Sequence, residues 1–112
     1  MADQQDAQLM MQVLQWSSMS GGIDALVNLM SPGFDAEGAS ATDRDVLTLL
    51  LLGETLGTFT KQGLLDKGLV NDLWASGLVW AGVGPAALRQ REQFGEPRLW
   101  ENFEALANGS ES

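Results

Sequence analysis

The sequence of 112 residues contains no cysteine, no histidine and no tyrosine. These absences exclude a thiol nucleophile, a serine–histidine triad and a structural zinc site of the usual ligand types. The sequence also lacks the P-loop, the HExxH motif and the GxGxxG dinucleotide-binding motif. Acid–base chemistry would depend on aspartate, glutamate or lysine alone. We therefore interpret the chain as non-enzymatic, with no catalytic, metal-binding or cofactor-binding residues.

Long apolar runs are scarce. The longest, residues 46–52, is interrupted by Thr48 and is far shorter than the ~20 residues that a membrane span requires. The opening segment, MADQQDAQLMMQ, contains Asp3 and Asp6 and has no basic region, so it does not resemble a signal peptide. We expect no membrane span and a cytoplasmic location.

Positive charge is also scarce, with six basic and fifteen acidic residues and a net charge of −9. Residues 1–43 contain six acidic residues and no basic residue. An acidic surface repels phosphate backbones and anionic lipids, so we expect no nucleic-acid binding. The carboxylates do not form the dense rows of a nucleic-acid mimic. Solubility is therefore the favoured interpretation of the charge, and an inhibitor that mimics nucleic acid is the least favoured function.

The apolar residues recur at helical spacing, and no useful length of sequence alternates with period two. The pattern predicts an all-α fold, a compact bundle of five to six short helices around a central apolar helix at about 42–62. We expect a single helical domain over residues 1–112. Its parts would be an N-terminal helical arm (1–33), a loop (34–41), a helical core (42–108) and a tail (109–112).

Helix starts are predicted from capping residues. Asp3 and Asp66 are expected to cap helices through their carboxylates. Thr42 is expected to cap the central helix, with Asp45 completing a capping box.

Helix ends are predicted from glycine and proline. Gly63 and Gly95 suit left-handed caps, and the pair at 21–22 interrupts the N-terminal pattern. The sequence GVGP at 82–85 is expected to separate two helices, and Pro97 is expected to open the last helix.

Two features stand out on the central helix. Gly53 and Gly57 are one turn apart, a spacing that allows close approach of another helix and is consistent with dimerisation. Glu54 follows a run of leucines. If buried, it would need a partner such as Arg89, Arg91 or Arg98; otherwise it marks the one solvated stripe of the helix, which is the interpretation we favour.

The N-terminal helix carries an apolar stripe with adaptable methionines beside it. Two tryptophans lie off the main stripes and are candidates for a surface site. Together with the glycine face of the central helix, these residues form the predicted interaction surface. It comprises Leu9, Met10, Val13, Leu14, Trp16, Gly53, Gly57 and Trp80.

The closing segment GEPRLWENFEALA (95–107) resembles the signature of an uncharacterised bacterial family of helical domains. That family ends in Pro-x-x-aromatic-Glu-Asn-Phe-Glu-x-Leu-Ala. Upstream, Gly53-Glu54 and the segment QGLLD (62–66) are similar to the family's aromatic-Glu helix and its Gly-Leu-[Ile/Leu]-Asp turn. Trp80 and Arg91 stand near positions where the family has Trp and Arg.

The resemblance covers roughly residues 45–107 and implies a helical fold, with no established activity. The chain departs from the family at Leu51-Leu52, where phenylalanine is more frequent. Many relatives also place a transmembrane helix before the domain, and this chain has none.

The closing segment is predicted to act as a structural latch. Trp100 and Phe103 would anchor the last helix, while the polar residues beside them would accept hydrogen bonds from Arg89, Arg91 or the turn at 63–66. The predicted latch residues are Glu54, Arg91, Trp100, Glu101, Asn102 and Phe103.

The function itself is not specified by any motif. The first hypothesis is a non-enzymatic protein-interaction module or accessory subunit that binds a protein partner or forms a homodimer. The alternative is a small-ligand-binding or regulatory domain with a pocket between helices lined by tryptophan and methionine.

Overall fold

A computed structural model of the chain describes residues 2–40 and 43–109. The described residues form six α-helices and no strand, which confirms the all-α prediction. The Cα radius of gyration is 13.6 Å, close to the ~13 Å expected of a compact chain of this length. In chain order the helices are α1 (Gln4–Met19), α2 (Gly22–Leu29), α3 (Arg44–Lys61), α4 (Lys67–Leu73), α5 (Ser76–Phe94) and α6 (Glu101–Gly109).

Helix α3 is central, as predicted, and lies against α2, α5 and α6. Its Leu50 and Leu56 are fully buried, whereas Leu47 and Leu51 are exposed to solvent. Leu47 and Leu51 are one turn apart, so one apolar side of α3 stays in solvent.

The predicted caps fall largely where the sequence placed them. Asp3 and Asp6 form a capping box at α1, and the carboxylate of Asp66 accepts a hydrogen bond from the backbone N–H of Leu69 at α4. Helix α3 begins at Arg44, where the Asp43 carboxylate accepts hydrogen bonds from the backbone N–H groups of residues 45 and 46. The predicted cap Thr42 lies outside the described residues.

The predicted break at residues 82–85 is wrong. Helix α5 runs continuously from Ser76 to Phe94 with Pro85 inside it, and the chain breaks earlier, at Trp74, whose backbone is extended. The extended backbone turns Trp74 inward, where its ring lies 5.4 Å from the ring of Phe103. Core packing therefore ends α4 without a glycine or proline signal.

The last helix begins at Glu101, four residues later than the predicted start at Pro97. Trp100 has a φ of +63°, in the left-handed region. A right-handed helix cannot continue through a residue in that conformation. Residues 97–100 consequently form a turn, and α6 needs a cap from elsewhere.

Candidate functional site

The first turn of α6 is capped by a carboxylate from α3. Glu54 Oε1 accepts hydrogen bonds from the backbone N–H groups of Asn102 and Phe103, each at 3.0 Å. Its Oε2 accepts a hydrogen bond of 2.9 Å from the Asn102 side chain. Because the N-terminal N–H groups of a helix have no partner within the helix, Glu54 replaces a local capping residue. The sequence analysis expected Glu54 either to pair with an arginine or to lie on a solvated stripe. Both expectations are wrong, because its carboxylate binds the N-terminal turn of α6.

The two glycines of α3 allow this contact. A Cβ atom at Gly53 would overlap the ring of Phe103, and one at Gly57 would overlap the backbone carbonyl of Asn102. Both glycines are buried. The close approach of a helix that this spacing predicted is confirmed, but the helix is α6 of the same chain, so this face is not free for a second copy.

Aromatic rings surround Phe103, which is fully buried. The ring of Trp80 meets it edge to face at 5.1 Å, and the Arg91 guanidinium lies 5.9 Å from the Trp80 ring. Arg91 also donates a 2.7 Å hydrogen bond from Nε to the carbonyl of Leu99. Trp80 is partly buried against the core, and its place on an interaction surface stays a prediction.

The remaining latch residues make polar contacts near the same helix end. Trp100 Nε1 donates a 2.7 Å hydrogen bond to the Oε1 atom of the buried Gln90. Arg91 forms an ion pair of 3.0 Å with Glu104. Glu101 instead pairs with the exposed Arg98 at 2.9 Å. The hydrogen bond between the two side chains lowers the pKa of Glu101 and raises the pKa of Arg98.

Arg89, the other predicted donor to the latch, lies elsewhere. Its guanidinium donates hydrogen bonds to the backbone carbonyls of Glu37 and Ala39. It therefore fixes the loop after α2 against α5.

The N-terminal stripe is mostly covered. Met10 and Val13 are buried, and Leu9 and Leu14 are half-buried against the core. The assignment of Met10 and Val13 to an interaction surface is wrong, because both side chains pack inside the molecule, whereas a role for Leu9 and Leu14 in binding stays a prediction. Trp16 is 39% exposed, and its role in binding stays a prediction.

An exposed apolar surface that the sequence analysis missed lies on α2. Ile23, Val27 and Met30 are 60%, 59% and 64% exposed. We call these three residues the outer stripe. They share one helix face at i, i+4 and i+7, while Ala25 is buried and Leu29 is half-buried against the core. The sequence contained a signal for this surface. Helix α2 has eight residues with apolar side chains on two faces, and only one of those faces can be buried against the core.

A cavity of about 340 Å³ lies between α2, the loop after it and the start of α3. Its wall includes Leu29, Phe34 and Leu49, with Asp35 and Asp43 among its polar residues, and contains no tryptophan or methionine. A smaller cavity of about 150 Å³ is lined by Trp16 and Leu51. The cavity beside α2 is therefore not the pocket lined by tryptophan and methionine that the alternative hypothesis expected. Among the described residues, no three carboxylates converge as a metal site would require.

The family follows from a match over nearly the whole chain. The model described as Domain of unknown function (DUF4760) matches residues 4–110. The chain belongs to the DUF4760 family. Membership in an uncharacterised domain family, which the resemblance implied, is thereby confirmed. No curated protein and no solved structure matches the chain.

The DUF4760 description assigns no activity, so the function of this domain must be argued from its own surface. Over residues 2–40 and 43–109, none of the helices has both the length and the apolarity needed to cross a bilayer.

Proposed function

We propose that this DUF4760 domain is a non-enzymatic protein-interaction module that binds a protein partner through the outer stripe of α2. The exposure of Ile23, Val27 and Met30 carries the proposal. Contiguous exposed apolar side chains on a small domain are typical of interaction sites. Burial of such surface contributes about 25 cal/mol for each Å² removed from water.

The position of the stripe suits docking. Helix α2 is held from behind, because Asn28 donates a hydrogen bond to the Asp45 side chain on α3, and Leu29 meets α5 at Gly82. A rigid support lowers the entropy that binding must remove. Met19, at the end of α1, is also exposed and offers a flexible apolar side chain that can adapt to a partner.

The setting of this module is also a proposal. The charge balance and the resemblance support a bacterial, cytoplasmic protein that does not bind nucleic acid. We further propose that the closing segment at 95–107 is a structural signature of the family, because its residues hold α6 to α3.

The test is to identify the partner and then to map its site. A partner recovered from the native host should be purified and its affinity measured by calorimetry. We expect Val27→Ser and Ile23→Ser to weaken binding about tenfold, the equivalent of roughly 1.4 kcal/mol. Leu64→Ser is the matched control, since Leu64 is 55% exposed but lies beyond the C-terminal end of α3. Equal affinities for all three variants would reject the outer stripe as the binding site.

A second candidate function is small-ligand binding in the cavity beside α2. Its volume of about 340 Å³ falls at the lower end of the range of ligand pockets, ~300–1,000 Å³. A metabolite panel monitored by amide NMR tests this candidate. We expect shifts at Gly38 and Leu49 if a ligand enters, whereas shifts confined to residues away from the cavity would count against it.

A further inference from the structure

We propose that the cavity beside α2 binds a small organic cation, an ammonium group carried on a short apolar body. The proposal rests on the second candidate function, ligand binding in this cavity, and names the chemical class of the ligand. It does not depend on the outer stripe, which lies on the exposed face of α2. The apolar side chains of the cavity wall specify the body of the ligand, and the carboxylates of the wall specify its charge.

The apolar part of the wall is built mainly from core residues. Ala25, Val46 and Leu49 are buried, and all three line the cavity. Leu29 and Phe34, which are half-buried, complete this part of the wall. Because none of these side chains has a hydrogen-bonding group, they favour contact with the apolar part of a ligand.

The polar part of the wall is acidic. Asp35, Asp43 and Asp45 line the cavity, and among the described residues no lysine or arginine does so. Asn28 also lines it, and its amide donates a hydrogen bond to the Asp45 carboxylate. An ionised carboxylate offers about four lone-pair positions, and hydrogen bonds within the described part of the chain use at most two of them on each aspartate. All three carboxylates can therefore accept hydrogen bonds from an ammonium group.

The helix ends beside the cavity do not reverse its charge. The positive N-terminal end of α3 adjoins the cavity, but the Asp43 carboxylate caps it. A full negative charge exceeds the partial charge of a helix end, which is about half a unit. The C-terminal end of α2, at Leu29, also adjoins the cavity. This end is negative, and α2 has no basic residue in its last turn.

Two arginines adjoin residues of the wall without lining the cavity themselves. The Arg89 guanidinium donates hydrogen bonds to the backbone carbonyls of Glu37 and Ala39. Arg44 is exposed at the start of α3. Together with Arg89, residues 31–46 contain four carboxylates and two guanidinium groups. The balance of charge around the cavity is therefore negative, which favours a cationic ligand.

Arg89 also fixes the loop that contributes one side of the wall. Phe34, Asp35 and Ala39 belong to this loop and line the cavity, and the hydrogen bonds from Arg89 attach it to α5. A wall that is already held in place has less freedom to lose when a ligand binds.

The wall suits an organic cation better than a metal ion. Among the described residues, no three carboxylates converge as a metal site requires, whereas calcium takes about six to eight oxygen ligands. The cavity volume of about 340 Å³ instead falls within the range of small-molecule pockets, ~300–1,000 Å³. An ammonium group on an apolar body would contact the acidic and the apolar parts of the wall at the same time.

The test uses 2-phenylethylamine, 2-phenylethanol and phenylacetate, which share one body and are cationic, neutral and anionic at neutral pH. Their binding to the full chain is measured by amide NMR titration at low and high salt. We expect the amine to shift the amides of Gly38 and Leu49 and to bind at least ~10-fold more tightly than the alcohol, because hydrogen bonds between charged groups are the stronger ones. Phenylacetate should bind most weakly. The advantage of the amine should shrink as salt screens the charges.

Substitutions separate the charge of the wall from its apolar contacts. Asp45→Asn and Asp35→Asn each remove one charge with little change of shape, and should weaken binding of the amine about 2- to 5-fold at low salt without affecting the alcohol. Asp45 lies in the first turn of α3, so Asp35→Asn in the loop gives a second measurement outside any helix. Phe34→Ala should weaken both probes, because an apolar contact is lost. Asp24→Asn is the matched control, since Asp24 is exposed on α2 and does not line the cavity.

The outcomes separate ligand binding from the charge of the ligand. If the amine and the alcohol bind equally and Phe34→Ala weakens both, the cavity is a ligand site but the cationic class is rejected. Tightest binding by phenylacetate would reject it too. If Asp24→Asn weakens the amine as much as Asp45→Asn does, the attraction is general to the acidic surface and the proposal fails. If no probe shifts Gly38 or Leu49, the proposal also fails, and the second candidate function fails with it only if the metabolite panel leaves the same amides unchanged.

Discussion

Individual polar side chains hold the N-terminal turn of the last helix, α6, against α3. Glu54 and Asn102 are separated by 48 residues in sequence, yet one carboxylate satisfies two backbone N–H groups and a side-chain amide of the last helix. A charged acceptor at a helix N-terminus is also favoured by the helix dipole. Asn102 Nδ2 also lies 3.1 Å from the Thr58 hydroxyl, which ties the same turn to α3 a second time.

Removal of the Glu54 carboxylate should destabilise the fold. We expect Glu54→Ala to lower the free energy of unfolding by about 2–3 kcal/mol, because partly buried N–H groups lose a charged acceptor. Glu54→Gln retains one acceptor oxygen and should cost about half as much. Urea unfolding measures both, with Glu92→Ala at an exposed position of α5 as the control. A Glu54→Ala variant as stable as the control would show that the cap contributes nothing.

The ion pair between Arg98 and Glu101 is exposed and should be visible mainly through its titration. In Arg98→Gln the pKa of Glu101 should rise toward its ordinary value, because the hydrogen bond from Arg98 is its largest cause of lowering. A folded pKa below the unfolded one contributes stability above the unfolded pKa, and that stability is lost as pH falls through the folded pKa. Carboxyl ¹³C NMR of Glu101 measures the shift. An identical titration midpoint in both proteins would contradict the assignment.

The arrangement of the helices depends on close contacts at glycine residues and on core packing that overrides local sequence signals. Helices α3 and α6 touch at the Gly53 and Gly57 positions, and α2 and α5 touch at Gly82. In each case the missing side chain brings two helices together within one molecule. The i, i+4 glycine spacing is therefore an intramolecular device here.

Alanine at Gly57 should destabilise the protein although alanine favours helices. The helix-propensity gain is roughly 1 kcal/mol, but the added Cβ would overlap the backbone carbonyl of Asn102. We expect a net loss of about 1–3 kcal/mol, measured by thermal or urea unfolding. Gly33→Ala is the control, because no atom lies within 4 Å of a Cβ there. Unchanged stability together with a change in oligomer size would instead restore the dimerisation hypothesis.

Helix α5 should become more stable when its internal proline is removed. Pro85 has no N–H group to donate to the carbonyl of Ala81, and its ring crowds that carbonyl. The penalty of about 3 kcal/mol relative to alanine in a helix interior is partly offset, because proline also restricts the unfolded chain. We expect Pro85→Ala to raise the free energy of unfolding by about 1–2 kcal/mol in urea titrations. A loss of stability would mean that packing of the half-buried ring outweighs the backbone defect.

The molecule as a whole combines a strong negative charge with an uneven apolar surface. The net charge is −9, and several exposed leucines accompany the outer stripe, among them Leu78 and Leu88. Isolated exposed leucines are ordinary on protein surfaces. Three exposed apolar side chains aligned along α2 and its C-terminal cap are less ordinary, and for that reason the proposed docking site lies on α2.

The overall charge should prevent nucleic-acid binding. We expect no shift of duplex DNA in gel assays at ~50 mM salt, where electrostatic attraction to phosphates is strongest. A basic DNA-binding protein in the same assay is the control. Salt-sensitive binding at micromolar protein would show that the few basic side chains form a patch that outweighs the net charge.

Local signals in the sequence were sufficient for much of the fold. The apolar run at 46–52 and the caps at Asp3 and Asp66 act over only a few residues, so they can be read directly. The left-handed glycines at 63 and 95 were likewise predictable, and both have positive φ. The end of α4 at Trp74 depends on core packing, and no nearby glycine or proline predicted it.

By itself the sequence determined an acidic, all-helical chain with α3 at its centre. Only the tertiary structure decided that Glu54 caps α6, that Gly57 faces Asn102 and that Val27 faces solvent. Those outcomes depend on which helices meet, and residues 48 apart in sequence carry no local signal of their contact. A short helix with two apolar faces can bury either face, and the helices that pack against it determine which face is buried.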